Sequence, residues 1–154
     1  MAYLYNFVNK PYKTQEKTRQ ILTELYTNSP DGISGNEDCG QMSAWYIFSS
    51  LGFYPVTPGS NQYIIGSPLF DKATIYLEDG KSFTLEAKNN SLKNKYIKNV
   101  RLNNKAYPYS YIKHSDIVQG GNIVFEMTDS PTNCGTSDDF IPSTEIKDHI
   151  IIPA

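Results

Sequence analysis

Asp31, Asn36, Glu37 and Asp38 are the densest polar cluster, three of them carboxylates able to accept a proton, and the last three sit in a loop bounded by Gly35 and Gly40. Asp38 stands three residues before Gln41, the spacing of a capping box, so its carboxylate can accept backbone N–H groups at a helix start. A carboxylate held in that way stays ionised at neutral pH and is rigid. The same two properties suit a residue that orients and deprotonates a water, so helix cap and general base are compatible roles for Asp38. Asn36, two residues earlier in extended chain, projects to the same side.

Other chemistries fit less well. The order Asp31-x4-Asn36-Glu37-Asp38 lacks the alternating ligand spacing of an EF-hand calcium loop. His114 and His149 lie in polar surroundings and no serine follows a G-x-S-x-G elbow, so both read as surface histidines. Gly120-Gly121 is a turn before a strand and not a phosphate loop. Lys93, Lys95, Lys98, Arg101 and Lys105, with Tyr96 and Tyr107 nearby, read as a solvated strand face. Asn89-Asn90-Ser91 fits a glycosylation sequon. Cys39 and Cys134 form no CxxC or zinc pattern, and both are expected to be reduced.

The elements that must position the loop show two regimes. Residues 1–56 read as helical, 60–128 as strands and 129–154 as an irregular tail. A first helix is predicted over Thr14–Tyr26, capped by Thr14, with Ile21, Leu22 and Leu25 as its buried stripe. Asn28-Ser29-Pro30-Asp31-Gly32 ends it with turn chemistry. A second helix runs from Gln41 to Leu51 and is closed by Gly52 and Pro55. It carries Ala44, Ile47, Phe48 and Leu51 on one face and Met42, Trp45 and Tyr46 on another. A helix apolar on two sides is normally buried in a helical layer, and so short a chain has too few helices to cover both. Beyond Gln62 the period becomes two. Tyr63–Ile65 is a short strand; Ala73, Ile75 and Leu77 turn at Asp79-Gly80 into Phe83, Leu85 and Ala87. Tyr96–Leu102 turns at Asn103-Asn104 toward Tyr109, and Ile123–Met127 is the last strand. This alternation predicts an antiparallel sheet or small β-sandwich.

Composition narrows the function classes. The chain has 154 residues, long enough for one domain or a piece of a larger one. A net charge of −2 provides no basic field for nucleic acid. No apolar run reaches the roughly 18 residues that a membrane span needs. Met1-Ala2-Tyr3-Leu4-Tyr5-Asn6 lacks the basic n-region and the apolar h-region of a signal peptide. Aromatic residues make up 13 %, which suits sugar stacking and core tyrosines equally.

Asp31-Gly32-Ile33-Ser34-Gly35-Asn36-Glu37-Asp38-Cys39-Gly40-Gln41-Met42-Ser43-Ala44-Trp45-Tyr46 closely resembles glycoside hydrolase family 92. The resemblance continues through Leu51-Gly52-Phe53-Tyr54-Pro55-Val56 and Tyr63-Ile64-Ile65-Gly66-Ser67-Pro68-Leu69-Phe70. Tyr3-Leu4-Tyr5-Asn6-Phe7 and Lys10-Pro11-Tyr12-Lys13-Thr14-Gln15 are also similar to a segment internal to longer members. The resemblance implies a C-terminal piece of a calcium-dependent, inverting exo-α-mannosidase. On that basis the fold is α+β. Residues 1–56 would supply two helices that complete an (α/α)6 barrel together with the base loop, and residues 57–154 would pack beside it. Asp38 is then implied as the general base, Asn36 as its helper in place of the family's aspartate, and Glu37 and Gln41 as borders of the sugar pocket. The acid, a glutamate, and most calcium ligands would lie upstream; the metal ligands in this chain are unassigned.

The implied substrate is terminal mannose of glycans, α-1,2-linked, and the implied location is secreted, periplasmic or cell-surface. The implied partner is the upstream part of the same parent chain. The alternative is a non-catalytic carbohydrate-binding or structural module. Loss of activity in the parent is a third reading, for which Asn36 is the suspicious feature and intact Asp38 the counterargument.

Overall fold

A computed structural model describes residues 2–143; His149 and the end of the C-terminal stretch lie outside the described residues. The fold is α+β, with helices at the front and two sheets behind. A 3₁₀ segment, Ala2–Val8, which the sequence patterns did not reveal, leads into α1 (Pro11–Glu24). The helix starts three residues before the expected Thr14: Pro11 sits in its first turn, where its missing N–H costs nothing and its fixed φ suits the helix. Thr14 therefore lies inside α1 and caps nothing; it is fully buried.

The expected stripe of α1 is corrected too. Leu25 is exposed, and the buried face is Thr14, Gln15, Thr18, Arg19 and Leu22. A polar face can be buried because its groups find partners. Gln15 Oε1 accepts the Ile97 N–H at 3.0 Å, and Thr18 bonds back to the Thr14 carbonyl at 2.8 Å. The Arg19 guanidinium donates to the carbonyls of Pro68 and Ser91 and to the Asn90 side chain. Burial lowers the Arg19 pKa from its usual value, while the charge of Asp71 pulls it back up.

The second helix, α2 (Gln41–Leu51), has the expected bounds, and Gly52 ends it in the left-handed conformation that glycine adopts freely. Behind it are β1 (Phe53–Tyr54), β2 (Gln62–Ile65), β3 (Lys72–Tyr76), β4 (Ser82–Lys88), β5 (Tyr96–Leu102), β6 (Lys105–Ala106) and β7 (Tyr111–Lys113). A short helix, α3 (His114–Val118), and β8 (Gly121–Thr128) follow. One sheet has the order β1-β2-β7 and the other β3-β4-β8-β5-β6. Both predicted hairpins are present: β3 turns into β4 around Asp79-Gly80, and β5 into β6 at Asn103-Asn104. Asn103 and Asn104 take φ of 49° and 65°, as a two-residue turn with both centres left-handed requires.

The all-antiparallel expectation fails at one place. β8 enters between β4 and β5 and runs parallel to β4, pairing Leu85 with Ile123 and Ala87 with Phe125. The chain between β4 and β8, with the β5–β6 hairpin, β7 and α3, is long enough for this parallel return. Alternation holds as read in β4, where Phe83, Leu85 and Ala87 point inward, and β8 likewise turns Ile123, Phe125 and Met127 inward. They share one core with Phe53, Ile65 and Ile112 of the smaller sheet, so the two sheets form a small sandwich. The other face of the smaller sheet carries Ile64 and Tyr111, which pack with Tyr3 and meet Trp45 and Tyr54. The smaller sheet is thus the middle layer between the helices and the larger sheet.

Candidate active site

The loop between α1 and α2 is built as a closed turn followed by a clamp. Tyr26 and Ile33 form an isolated antiparallel bridge, and Thr27 N–H bonds to the Gly32 carbonyl at 2.9 Å. A Cβ at Gly32 would stand 2.0 Å from the Thr27 carbonyl oxygen, so the turn accepts only glycine there. Tyr26 then ties the turn to α2. Its ring stacks on Trp45 at 5.9 Å, and its hydroxyl donates to the Met42 carbonyl at 3.1 Å. Burial raises the Tyr26 pKa, and the negative charge of Glu37 adds to the rise. An open groove of about 510 Å³ lies between this turn and α2, with Tyr26, Ile33, Ser43, Tyr46 and Ile47 among its walls.

The expected cap is corrected here. Asp38, Cys39 and Gly40 take φ of 47°, 60° and 85°, three left-handed residues in a row. This reversal carries the Asp38 side chain out of reach of the helix N–H groups, and Gly40 occupies the cap position without a side-chain bond. Glu37 does the capping instead. Its Oε1 accepts the Ser43 N–H at 3.0 Å and its Oε2 accepts the Ser43 hydroxyl at 3.0 Å. That pair was not legible in the sequence, because six residues of separation match no capping pattern.

The four candidate residues therefore lie on one turn with different engagements. The backbone of Gln41 bonds to the Asp38 carbonyl at 3.3 Å, and that of Met42 to the Glu37 carbonyl at 3.4 Å. Glu37 is half-buried; Asn36, Asp38 and Gln41 are exposed. Asp31 is exposed as well. Among the described residues no hydrogen bond or ion pair engages the side chains of Asp38, Asn36 or Gln41. An exposed, unengaged carboxylate on a clamped backbone can accept a proton from water. The left-handed backbone at Asp38 is not the extended chain that would put Asn36 on the same side, and an amide can hydrogen-bond a water but cannot take its proton.

Elsewhere the expected surface positions are found. His114 is exposed and its Nδ1 meets the Tyr63 hydroxyl at 2.9 Å. Lys98, Arg101 and Lys105 are exposed, and both cysteines are free thiols. Among the described residues no three His, Cys, Asp or Glu side chains gather as a metal-binding group, so these residues do not by themselves make a calcium site. No described helix is long and apolar enough to cross a membrane.

Residues 1–129 match the sequence model of the glycosyl hydrolase family 92 catalytic domain. The structure is similar to that of the family GH92 α-mannosidase BT3965 from Bacteroides thetaiotaomicron in complex with mannoimidazole. The two share 45 % identity with a TM-score of 0.89, over 92 % of this chain and 19 % of that one. The family GH92 inverting mannosidase BT2199 from the same species gives 41 % identity and a TM-score of 0.87, over 92 % and 19 %. A curated relative, an uncharacterized secreted glycosidase of Arthroderma benhamiae, is 27 % identical over 144 residues, which are 92 % of this chain and 19 % of that protein. The chain thus spans about a fifth of the length of these relatives.

Proposed function

The chain belongs to glycosyl hydrolase family 92, and from that premise we propose that it is the C-terminal part of a calcium-dependent, inverting exo-α-mannosidase. The parent removes terminal, α-1,2-linked mannose from glycans outside the cytoplasm, as a secreted, periplasmic or cell-surface enzyme. Asp38 is the general base, Asn36 helps to orient the attacking water, and Glu37 and Gln41 border the sugar. The observation that carries this reading is the division of labour before α2: Glu37 caps the helix, which leaves the Asp38 carboxylate unengaged.

In an inverting hydrolase, a carboxylic acid protonates the leaving oxygen while a carboxylate roughly 6.5–9.5 Å away draws a proton from water on the opposite face of the sugar. Asp38 is suited to the second task. The acid belongs to the part of the parent upstream of this chain, and most ligands of the calcium would lie there too, where the ion would serve to bind the sugar. The isolated chain therefore has no useful turnover, since losing general acid catalysis alone costs about 10²–10⁴-fold.

Residues 1–56 supply the last helices and the base loop of the catalytic barrel, and residues 57–154 support them from the side. The exposed apolar side of α2 favours this arrangement. Ile47 is 58 % exposed although it lies in a strongly apolar helix, so a covering layer is expected.

The test is mannose release from α-1,2-mannobiose by the full-length parent, wild type beside Asp38→Ala, with and without EDTA. Activity that is lost with EDTA and falls by about 10²–10⁴-fold in the variant supports the reading. A well-folded Asp38→Ala enzyme that keeps its rate returns Asp38 to a structural role. A folded but inactive wild type favours the sugar-binding module instead.

A further inference from the structure

We propose that Glu37 is a positioning residue for the general base: its carboxylate, clamped on Ser43, holds the left-handed turn that presents the Asp38 side chain. This inference rests on the reading of Asp38 as base and goes beyond it by giving Glu37 and Ser43 a task of their own.

The residue just before Asp38 is held at two points. Its carboxylate takes both the N–H and the hydroxyl of Ser43 at 3.0 Å, and its carbonyl takes the Met42 N–H at 3.4 Å. Among the described residues, Asp38 itself is held only through its carbonyl, which accepts the Gln41 N–H at 3.3 Å. Between these anchors, Asp38 and Cys39 keep a left-handed backbone that residues with a Cβ adopt at a cost. An exposed turn with that cost relaxes toward extended chain once its anchor is removed, and relaxation at residue 38 swings the carboxylate away. The second grip on the first turn of α2, from the Tyr26 hydroxyl to the Met42 carbonyl, comes from the preceding turn and keeps the helix end in place as the clamp acts. Each Glu37 oxygen accepts one hydrogen bond from Ser43, which leaves a further lone pair on each, so positioning Asp38 is a task in addition to bordering the sugar.

Ser43→Ala, Glu37→Ala, Glu37→Gln and Asp38→Asn in the full-length enzyme, assayed on α-1,2-mannobiose, test this. Ser43→Ala keeps the backbone bond to Oε1 and so keeps the fold, which thermal unfolding checks. Displacing a reacting group by about 1 Å costs on the order of 10²-fold. Glu37→Ala is therefore expected to lower kcat by about that factor, and Ser43→Ala by less, with KM little changed in both. Glu37→Gln recovers most of kcat, because its amide still accepts the Ser43 N–H and donates to the Ser43 hydroxyl. The double change Glu37→Ala with Ser43→Ala is no worse than Glu37→Ala alone. Wild-type kcat in Ser43→Ala, or a loss that appears in KM and is equal in Glu37→Gln and Glu37→Ala, overturns the inference and returns Glu37 to direct sugar contact. A retained rate in Asp38→Asn instead removes the base reading itself, and the inference with it.

Discussion

Asp38, Cys39 and Gly40 concentrate the backbone strain of the loop, and only one of them is a glycine. The left-handed region costs an ordinary residue about 1–2 kcal/mol, costs asparagine and aspartate less, and costs a β-branched residue most. Cys39 is exposed, so its substitution changes the turn without disturbing a core. Cys39→Val is expected to be about 1–2 kcal/mol less stable than Cys39→Gly, which denaturant midpoints can measure. Equal midpoints would mean that the turn does not hold its left-handed form in solution. For the same reason Asp38→Asn is the cleaner probe of the base. Asparagine tolerates this φ, so mannose release by the full-length parent should fall by about 10²–10⁴-fold while the unfolding temperature stays at its wild-type value.

The elements are joined by the hydroxyls of a buried and a half-buried tyrosine. Tyr3 in the N-terminal 3₁₀ segment donates to Ser49 of α2 at 2.9 Å, and its ring stacks on Tyr54 of β1 at 5.5 Å. Tyr107, after β6, donates to Asp116 of α3 at 3.3 Å. Burial pushes both hydroxyls well above the ordinary tyrosine value of 10.0, and Asp116 pushes Tyr107 further in the same direction. A raised folded-state pKa gives a contribution that is fully present below the unfolded value and is lost as pH rises. Above 10.0 the unfolded chain releases these protons while the folded chain keeps them, so stability must fall. Denaturant midpoints should be flat in this respect between neutral pH and about 9 and drop beyond about 10, with a shallower drop in Tyr3→Phe. An unchanged drop in Tyr3→Phe would mean that Tyr3 titrates normally.

On the scale of the whole molecule, the sheets are closed and the helical side is open. The sandwich core is covered from both layers, whereas Ala44 and Ile47 of α2 face outward. If the rest of the parent covers this face, the isolated chain self-associates in solution, and Ile47→Asp reduces that association in sedimentation velocity. The same change in the full-length parent would bury a charge without a partner and cost about 3–5 kcal/mol in an unfolding titration. Indifference of the parent to Ile47→Asp would leave the face exposed there too.

The sequence by itself determined the bounds of α2, the inward residues of β4, the existence of β8, both hairpin turns and the loop that carries Asn36 and Asp38. Each of these depends on neighbours in the chain: a period of two or 3.6, a glycine stop, a pair of asparagines at a turn. It also carried the family, because the loop motif is contiguous. Only the tertiary structure decided that β8 returns parallel to β4, that α1 buries Gln15 and Arg19 in preference to Leu25, and that Glu37 rather than Asp38 caps α2. Those outcomes depend on partners far along the chain, such as Ile97 and Pro68, or on a backbone reversal, and no local pattern of residue types encodes either.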